Sequence, residues 1–533
     1  MTSHSRCQSI ATSLRGDAKG VKPRRLLRIE KPRDQPMRLK LQSTDELGIL
    51  PPFAALSYCW GGIQTFRCAG STMTGFMAEI HFHNLPTTIQ DAVTVCEQLG
   101  VQYLWVDSLC ILQDNEMDKA IEIAKMPYIY GGAVFTIIAS RAASVWDGFL
   151  DTRVPTPDTI PAFQIPWCCD GDQLGSVTMV DLDTQPEPID DRGWTFQERL
   201  LSNRLLEFGT RQTRCTCRES GSSTGYRDGW RKESETDIAD TCERAWAKVE
   251  DDAHNGWQWI LLRYTERRLT HGTDRPLAIS GIAERCQQLV DDEYLAGLWR
   301  KSLQSGLLWA VLARDRKPRL LSYQGPSWSW LAVSSPIFNL QLNRAEWGPV
   351  QSNAEIVSVR AELANARAPF GATREGSGRL RVKGRLARAT YRREDPPGAD
   401  SSSDYDIRIA GAHGTIYANL YLDCVEDAID SPGGPNDGAA VAALEIQSRS
   451  IGPSWFSFGL VLRPIAPLAV GNPLADPVAG NVVAFARIGV FEIGTSLDEF
   501  RNRSATDDVG WGKRLDEELN CFKGIEPSVI EIR

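Results

Sequence analysis

The spacing of hydrophobic positions changes period several times along this chain, and each change marks an element. "FAALSYCWGG" is apolar from Phe53 to Tyr58 and is stopped by Gly61 and Gly62, which reads as a short buried strand. "LPTTIQDAVTVCEQLG" puts Ile89, Ala92, Val93, Cys96 and Leu99 on one helical stripe. Thr87 and Gln90 stand at capping-box spacing, and Gly100 supplies the stop. "VQYLWVD" reads as a strand ending at Asp107. "MDKAIEIAKMPYIY" reads as a helix with Met117, Ile121, Ala124 and Tyr128 on one face, and Pro127 marks a kink or an early end. "AVFTIIAS", Ala133 to Ser140, is a largely continuous apolar run, as in a strand covered on both faces. Strand, helix, strand, helix, strand predicts an α/β fold with a parallel sheet and right-handed crossovers.

A Pro- and Asp-rich stretch from Asp151 to Asp191 interrupts this pattern, with a hairpin expected around "SVTMVDL". "RGWTFQERLLSNRLLEF", Arg192 to Phe208, then reads as a helix from Gly193 to Ser202 followed by the strand "RLLEF". Residues 211–345 are Trp-rich and read as mostly helical, as in "CERAWAKVEDDAHNGWQWILLRYTERRL" and "YLAGLWRKSLQSGLLWAVL". From about Glu346, short apolar stretches alternate with turn signals; "LRVKGRLARATYRRE", "GTIYANLYLDCV", "SFGLVLRPI" and "VVAFARIGVFEI" read as strands. The expected organisation is an N-terminal extension over 1–50 with one strand at "RRLLRIE", an α/β domain over 51–210, a helical extension over 211–345, and a β-rich domain over 346–533.

Composition narrows the classes of function. A chain of 533 residues exceeds one hydrophobic core. Its 59 basic and 68 acidic residues give a net charge of −9, which argues against nucleic-acid binding. The basic run from Lys22 to Arg33 is interleaved with apolar residues and reads as a solvated strand or loop edge. No stretch is apolar enough for a membrane span, and the first thirty residues hold no signal-peptide core. The 13 cysteines show no disulfide framework, so a cytoplasmic location with reduced thiols is expected. "CTC" and "WCCD" lack a second ligand pair, so no metal is expected. Gly61 and Gly62 can admit a phosphate, but there is no GxGxxG or GxxxxGK[ST] pattern, which argues against a Rossmann dehydrogenase or a P-loop enzyme.

Ligands of an open parallel sheet bind beyond the carboxyl ends of its strands. Three polar clusters fall there: Ser57, Tyr58 and Trp60 after the first strand, Asp107 with Ser108, Gln113 and Asp114 after the second, and Ser140 with Arg141 after the third. For Asp107 and Gln113 taken alone, loop capping and helix starts are the favoured reading. Cys110 would need a histidine base, and His81 and His83 have no visible reason to converge on it, so Cys110 and Cys59 read as core residues. Glu198 follows Trp194 by one helical turn on the same face. Either it lines a pocket beside an aromatic wall, or it joins Arg192, Arg199 and Arg204 in an ion-pair group that ties the helix to the sheet.

Taken in order, "FAALSYCWGG", "LPTTIQDAVTVCEQLGVQYLWVDSLCILQD", "KMPYIYGGAVFTIIAS" and "RGWTFQERLLSNRLLEF" closely resemble the fungal heterokaryon-incompatibility (HET) domain family, over roughly Pro51 to Phe208. "LTHGTDRPLAISGIAE", "YLAGLWRKSL" and "PSWSW" are similar to the extension that accompanies HET domains in many large fungal proteins. The resemblance implies a role in nonself recognition and regulated cell death after fusion of unlike cells. A homo-oligomer or a nonself-recognition partner protein would then be the partner, with no nucleic acid and no membrane span. The family is distantly similar to the Toll/interleukin-1 receptor (TIR) domain, which implies a TIR-like parallel sheet flanked by helices. Catalytic TIR domains follow a buried strand ending in Ser with a helix carrying W-x-x-x-E, whose Glu is required for cleaving NAD. Here the two pieces are "TIIAS", ending at Ser140, and "WTFQE", Trp194 to Glu198, separated by a long insertion from Arg141 to Arg192. The comparison implies Glu198 as the catalytic carboxylate, NAD as substrate and no required cofactor. Trp194 and Trp60 would form the aromatic wall, Arg192 or Arg204 would meet the pyrophosphate, and Ser57, Tyr58, Asp107 and Ser140 would line the site. A carboxylate near the ribose stabilises the positive charge that builds as the nicotinamide–ribose bond breaks. The alternative is a non-catalytic module that signals by oligomerising, with the β-rich C-terminal part sensing a ligand or partner.

Overall fold

In the computed structural model the described residues of the first part of the chain supply ten strands: β1 (Arg25–Glu30), β2 (Arg38–Ser43), β3 (Ala54–Ser57), β4 (Ile80–His81), β5 (Tyr103–Trp105), β6 (Thr136–Ile138), β7 (Ala162–Cys169), β8 (Gln173–Val180), β9 (Arg204–Phe208) and β10 (Thr213–Cys217). Its helices are α1 (Gly70–Ala78), α2 (Thr87–Gln98), α3 (Asp107–Cys110), α4 (Glu116–Gly132) and α5 (Gly193–Leu201). The structure describes residues 21–31, 37–152, 162–169, 173–180, 186–210, 213–217, 252–342, 348–366, 368–393, 405–411, 414–428, 439–451, 454–465, 483–494 and 521–533. The chain divides into two compact units, Met1–Ala247 and Lys248–Arg533, and the boundary expected at 345/346 lies within the second.

Eight strands of the first unit form one mixed sheet, in the order β10-β9-β6-β3-β5-β1-β2-β4. The expected parallel α/β core is present: β3 pairs in parallel with β5 and β6, and β6 with β9. Antiparallel pairings extend both edges. α2 buries Ile89, Ala92, Val93 and Cys96 as its spacing predicts, with Ile89 and Val93 each contributing roughly 1.5–3 kcal/mol. Leu99, expected on that stripe, is the C-cap and is 55% exposed. The capping box does not form, because Pro86 takes the N-cap position. Thr88 Oγ1 and Gln90 Nε2 instead donate to the carbonyls of Ser144 and Leu85. The hairpin expected around "SVTMVDL" is β7 paired with β8.

Two expectations fail for one reason. "RRLLRIE" is no solvated edge: β1 joins the sheet beside β5, and Arg25 is buried. Its guanidinium pairs with Asp118 of α4, its Nε donates to the Cys110 carbonyl at 2.8 Å, and Arg24 reaches Asp118 at 2.8 Å. These cations turn Asp118 and Glu122 inward, so α4 does not bury the face through Met117 and Ala124; Met117 is 61% exposed. α4 also runs through Pro127 to Gly132 without ending early.

The second unit begins with the helices α6 (Ala253–Thr265) and α7 (Leu277–Val290). The helix expected at "YLAGLWRKSLQSGLLWAVL" is a correction. Tyr294–Leu295 pairs with Leu298–Trp299 across Ala296 and Gly297, whose φ values of 47° and 91° suit a two-residue hairpin turn. A Cβ on Gly297 would lie 2.4 Å from the Trp330 indole nitrogen, so tertiary packing also requires the glycine. The β-rich region is present. Leu386–Arg393, Tyr405–Gly411, Gly414–Leu422, Ala484–Gly494, Ser454–Pro464 and Ala440–Ile451 pair each with the next, and the last pairs with the first. The six strands close into an antiparallel barrel. Alternate positions such as Ala387, Ala389, Ile407, Ile409, Leu420 and Leu422 supply its buried core. Arg487, buried and bidentate to Asp423 at 3.0 and 3.1 Å, stacks 3.3 Å above the Trp309 ring and so ties the Trp-rich segment to the barrel.

Candidate functional site

The chain leaves β3 for β5 on one side and then crosses back to β6 on the other, so the sheet changes direction at β3. Crevices outside the strand ends at such a reversal are where open α/β sheets bind ligands. Ser57 ends β3 opposite Ile138 of β6, and Asp107 follows β5. α5, which packs on α4, brings Arg192 and Glu198 to the same place.

Arg192 donates to the Tyr58 carbonyl, stands 5.6 Å from the Trp60 ring centre, and lies 3.8 Å from the Asp107 carboxylate. Trp60 Nε1 donates to Asp107 Oδ2 at 3.0 Å, and the Ser108 N–H donates to Oδ1 at 2.6 Å. The Tyr58 hydroxyl donates to Ser108 Oγ at 2.9 Å. Gly61 holds this loop down. Its φ is +72°, and a Cβ there would come within 2.1 Å of Ser144 Cβ. Its need for glycine therefore arises from a close approach to Ser144.

Glu198 is only 3% exposed and forms no ion pair among the described residues. Burial pushes its carboxyl up to about 7. Arg192 pulls down through space, Asp107 pushes up, and the hydroxyls of Ser57 and Tyr130 pull down. Asp107 is likewise raised by burial, with Arg192 opposing. The next residue behaves in the opposite way. Arg199 makes a bidentate pair with Glu207 at 2.8 and 3.0 Å. Burial raises Glu207, but the charge and hydrogen bonds of Arg199 win and hold it at about 2. So the ion-pair group that ties the helix to the sheet exists around Arg199, and Glu198 stands outside it.

The structure thus gathers Ser57, Tyr58, Trp60, Asp107, Arg192 and Glu198. Trp194, half-buried, lies one turn before Glu198 on α5. Ser140 is not among them: it is buried and donates to Glu207 Oε1 at 2.7 Å. Arg204 is not among them either. It opens β9, and in a parallel array the first residue of a strand lies at the edge away from the crevice. Its guanidinium donates to the Val134 carbonyl at 3.4 Å. Sequence reasoning missed Tyr130 and Glu207. Glu207 had a visible signal, because it shares the buried face of β9 with Leu205. Burial pushes the thiols of Cys59 and Cys110 up to about 11 and about 12, so neither is a nucleophile at neutral pH. Among the described residues no His/Cys/Asp/Glu group could hold a metal ion, and no helix is long and apolar enough to cross a membrane.

No curated protein and no solved structure matches the chain. Residues 53–198 match the family model described as Heterokaryon incompatibility protein (HET). That match starts one residue before β3 and ends on Glu198, so it spans the sheet reversal and the residues gathered there. The chain therefore carries a heterokaryon incompatibility (HET) domain over residues 53–198, and the residues gathered at the sheet reversal lie within it.

Proposed function

We propose that this crevice binds NAD and that Glu198 cleaves it between nicotinamide and ribose, as the effector step of a HET-type nonself response triggered by self-assembly or by a partner protein. The observation that carries the reading is Glu198 itself: a buried acid with no ion pair among the described residues, poised near neutrality beside Arg192, Trp60 and Asp107. Ionised Glu198 stabilises the positive charge that develops on the ribose, in surroundings that exclude water and strengthen the interaction. Nicotinamide leaves with the electrons of the broken bond, water adds to the ribose carbon, and the proton of that water is released. Arg192 exchanges its 3.8 Å contact with Asp107 for a phosphate oxygen. The distant TIR resemblance supports the assignment of Glu198 through the W-x-x-x-E spacing.

One sample tests both binding and chemistry. NAD added to isotope-labelled protein is expected to shift the indole N–H resonance of Trp60, which is bonded to Asp107 in the crevice. Free nicotinamide is expected to accumulate in the same spectra. A shift without nicotinamide would favour the non-catalytic module, and the absence of both would remove NAD as the ligand.

A further inference from the structure

A buried carboxylate with no cation paired to it ionises only if neutral donors turn toward it. Two hydroxyls beside Glu198 hold such capacity in reserve. Ser57 is 1% exposed, and its Oγ has no hydrogen-bond partner. Tyr130 is equally buried and donates to the Leu56 carbonyl at 3.2 Å, long for an O–H···O bond. Its ring packs edge-on against Trp105 at 5.5 Å, which fixes the hydroxyl oxygen while leaving its proton free to rotate. Both hydroxyls lie within reach of the Glu198 carboxylate.

We propose that Ser57 and Tyr130 are positioning residues that set the ionisation of Glu198. With the acid protonated, Tyr130 keeps its bond to the Leu56 carbonyl and the Ser57 hydroxyl has no anion to serve. When the acid loses its proton to solvent, both hydroxyls rotate and donate to the carboxylate. The other groups facing Glu198 are Arg192 ahead of α5, Asp107 after β5 and Cys59 after β3. Arg192 and Asp107 act in opposite directions, and the Cys59 thiol stays neutral up to about 11. The hydroxyl pair is the lever that remains.

The effect on rate rests on the catalytic reading of Glu198, but the titration does not. The carboxyl carbon resonance of Glu198 is identified as the signal lost in Glu198→Gln. Tyr130→Phe and Ser57→Ala are each expected to raise its midpoint by roughly one pH unit, the usual worth of a hydrogen bond to a charged group. Nicotinamide release at pH 7 is then expected to fall roughly fivefold in each variant and to recover by pH 9. A purely structural role would lower the rate at every pH. A midpoint that stays put or falls in either variant overturns that residue's part. Ser57→Ala removes a hydroxyl with no partner to lose, so it keeps the test open should Tyr130→Phe fail to fold. Failure of the NAD reading looks different: the midpoints move, but wild type releases no nicotinamide.

Discussion

Glu198→Gln is expected to make the HET domain more stable above pH 7, not less. The folded acid titrates at about 7 against an ordinary 4.5, so the native state binds this proton more tightly than the unfolded chain does. Wild type therefore loses stability as pH rises from about 4.5 through about 7, and the loss levels off above that. At about 1.4 kcal/mol per pH unit, the shift corresponds to about 3 kcal/mol. Glutamine keeps the shape and never carries the charge, so the variant escapes that loss. Urea unfolding of both full-length proteins is expected to give equal stabilities near pH 4.5 and a gap of about 3 kcal/mol by pH 8, with glutamine ahead. A less stable variant at pH 8 would mean that the fold stabilises the carboxylate, as an ordinary structural glutamate requires. A buried acid that costs stability in this way fits a functional site.

Arg199→Ala is expected to have the largest effect in the other direction. Arg199 and Glu207 are 4% and 5% exposed at their side chains and form a bidentate pair. Removing the cation leaves a buried carboxylate with Ser140 and the more distant Arg214 at 3.9 Å. Breaking one side of such a pair costs about 3–5 kcal/mol. Glu207 is depressed to about 2, so its contribution is complete above about 4.5 and disappears as pH falls toward about 2. The deficit of Arg199→Ala in urea unfolding is therefore expected to be largest at neutral pH and to shrink through that acid window. A deficit under about 1 kcal/mol at pH 7 would place the pair among weak surface contacts. The pair joins α5 to β9, so this variant is also expected to loosen the helix that carries Glu198.

The elements of the crevice were largely legible in the sequence. β3, β5 and β6 are apolar runs that end in polar residues, and "RGWTFQERLLSNRLLEF" shows α5 and β9 by a change of period. What escaped depends on partners distant along the chain. The inward face of α4 is set by Arg24 and Arg25, more than ninety positions from Asp118. Ser140 was placed in the site by its position after a strand, but its partner Glu207 sits on another strand. Arg204 was legible in principle, since a residue that opens a parallel strand cannot reach the edge where its neighbours end. In the second unit the strands could be read one by one. Their closure into a barrel could not, because it depends on Ala440–Ile451 pairing with two different strands.

The central claim is that Glu198 acts on NAD, and nicotinamide release measures it directly. Purified full-length wild type and Glu198→Gln are compared at high concentration with a crowding agent, so that self-assembly is favoured. Release by wild type alone, with the glutamine variant folded, is the predicted result. Equal release by both proteins, or none from either while both remain folded, would contradict it.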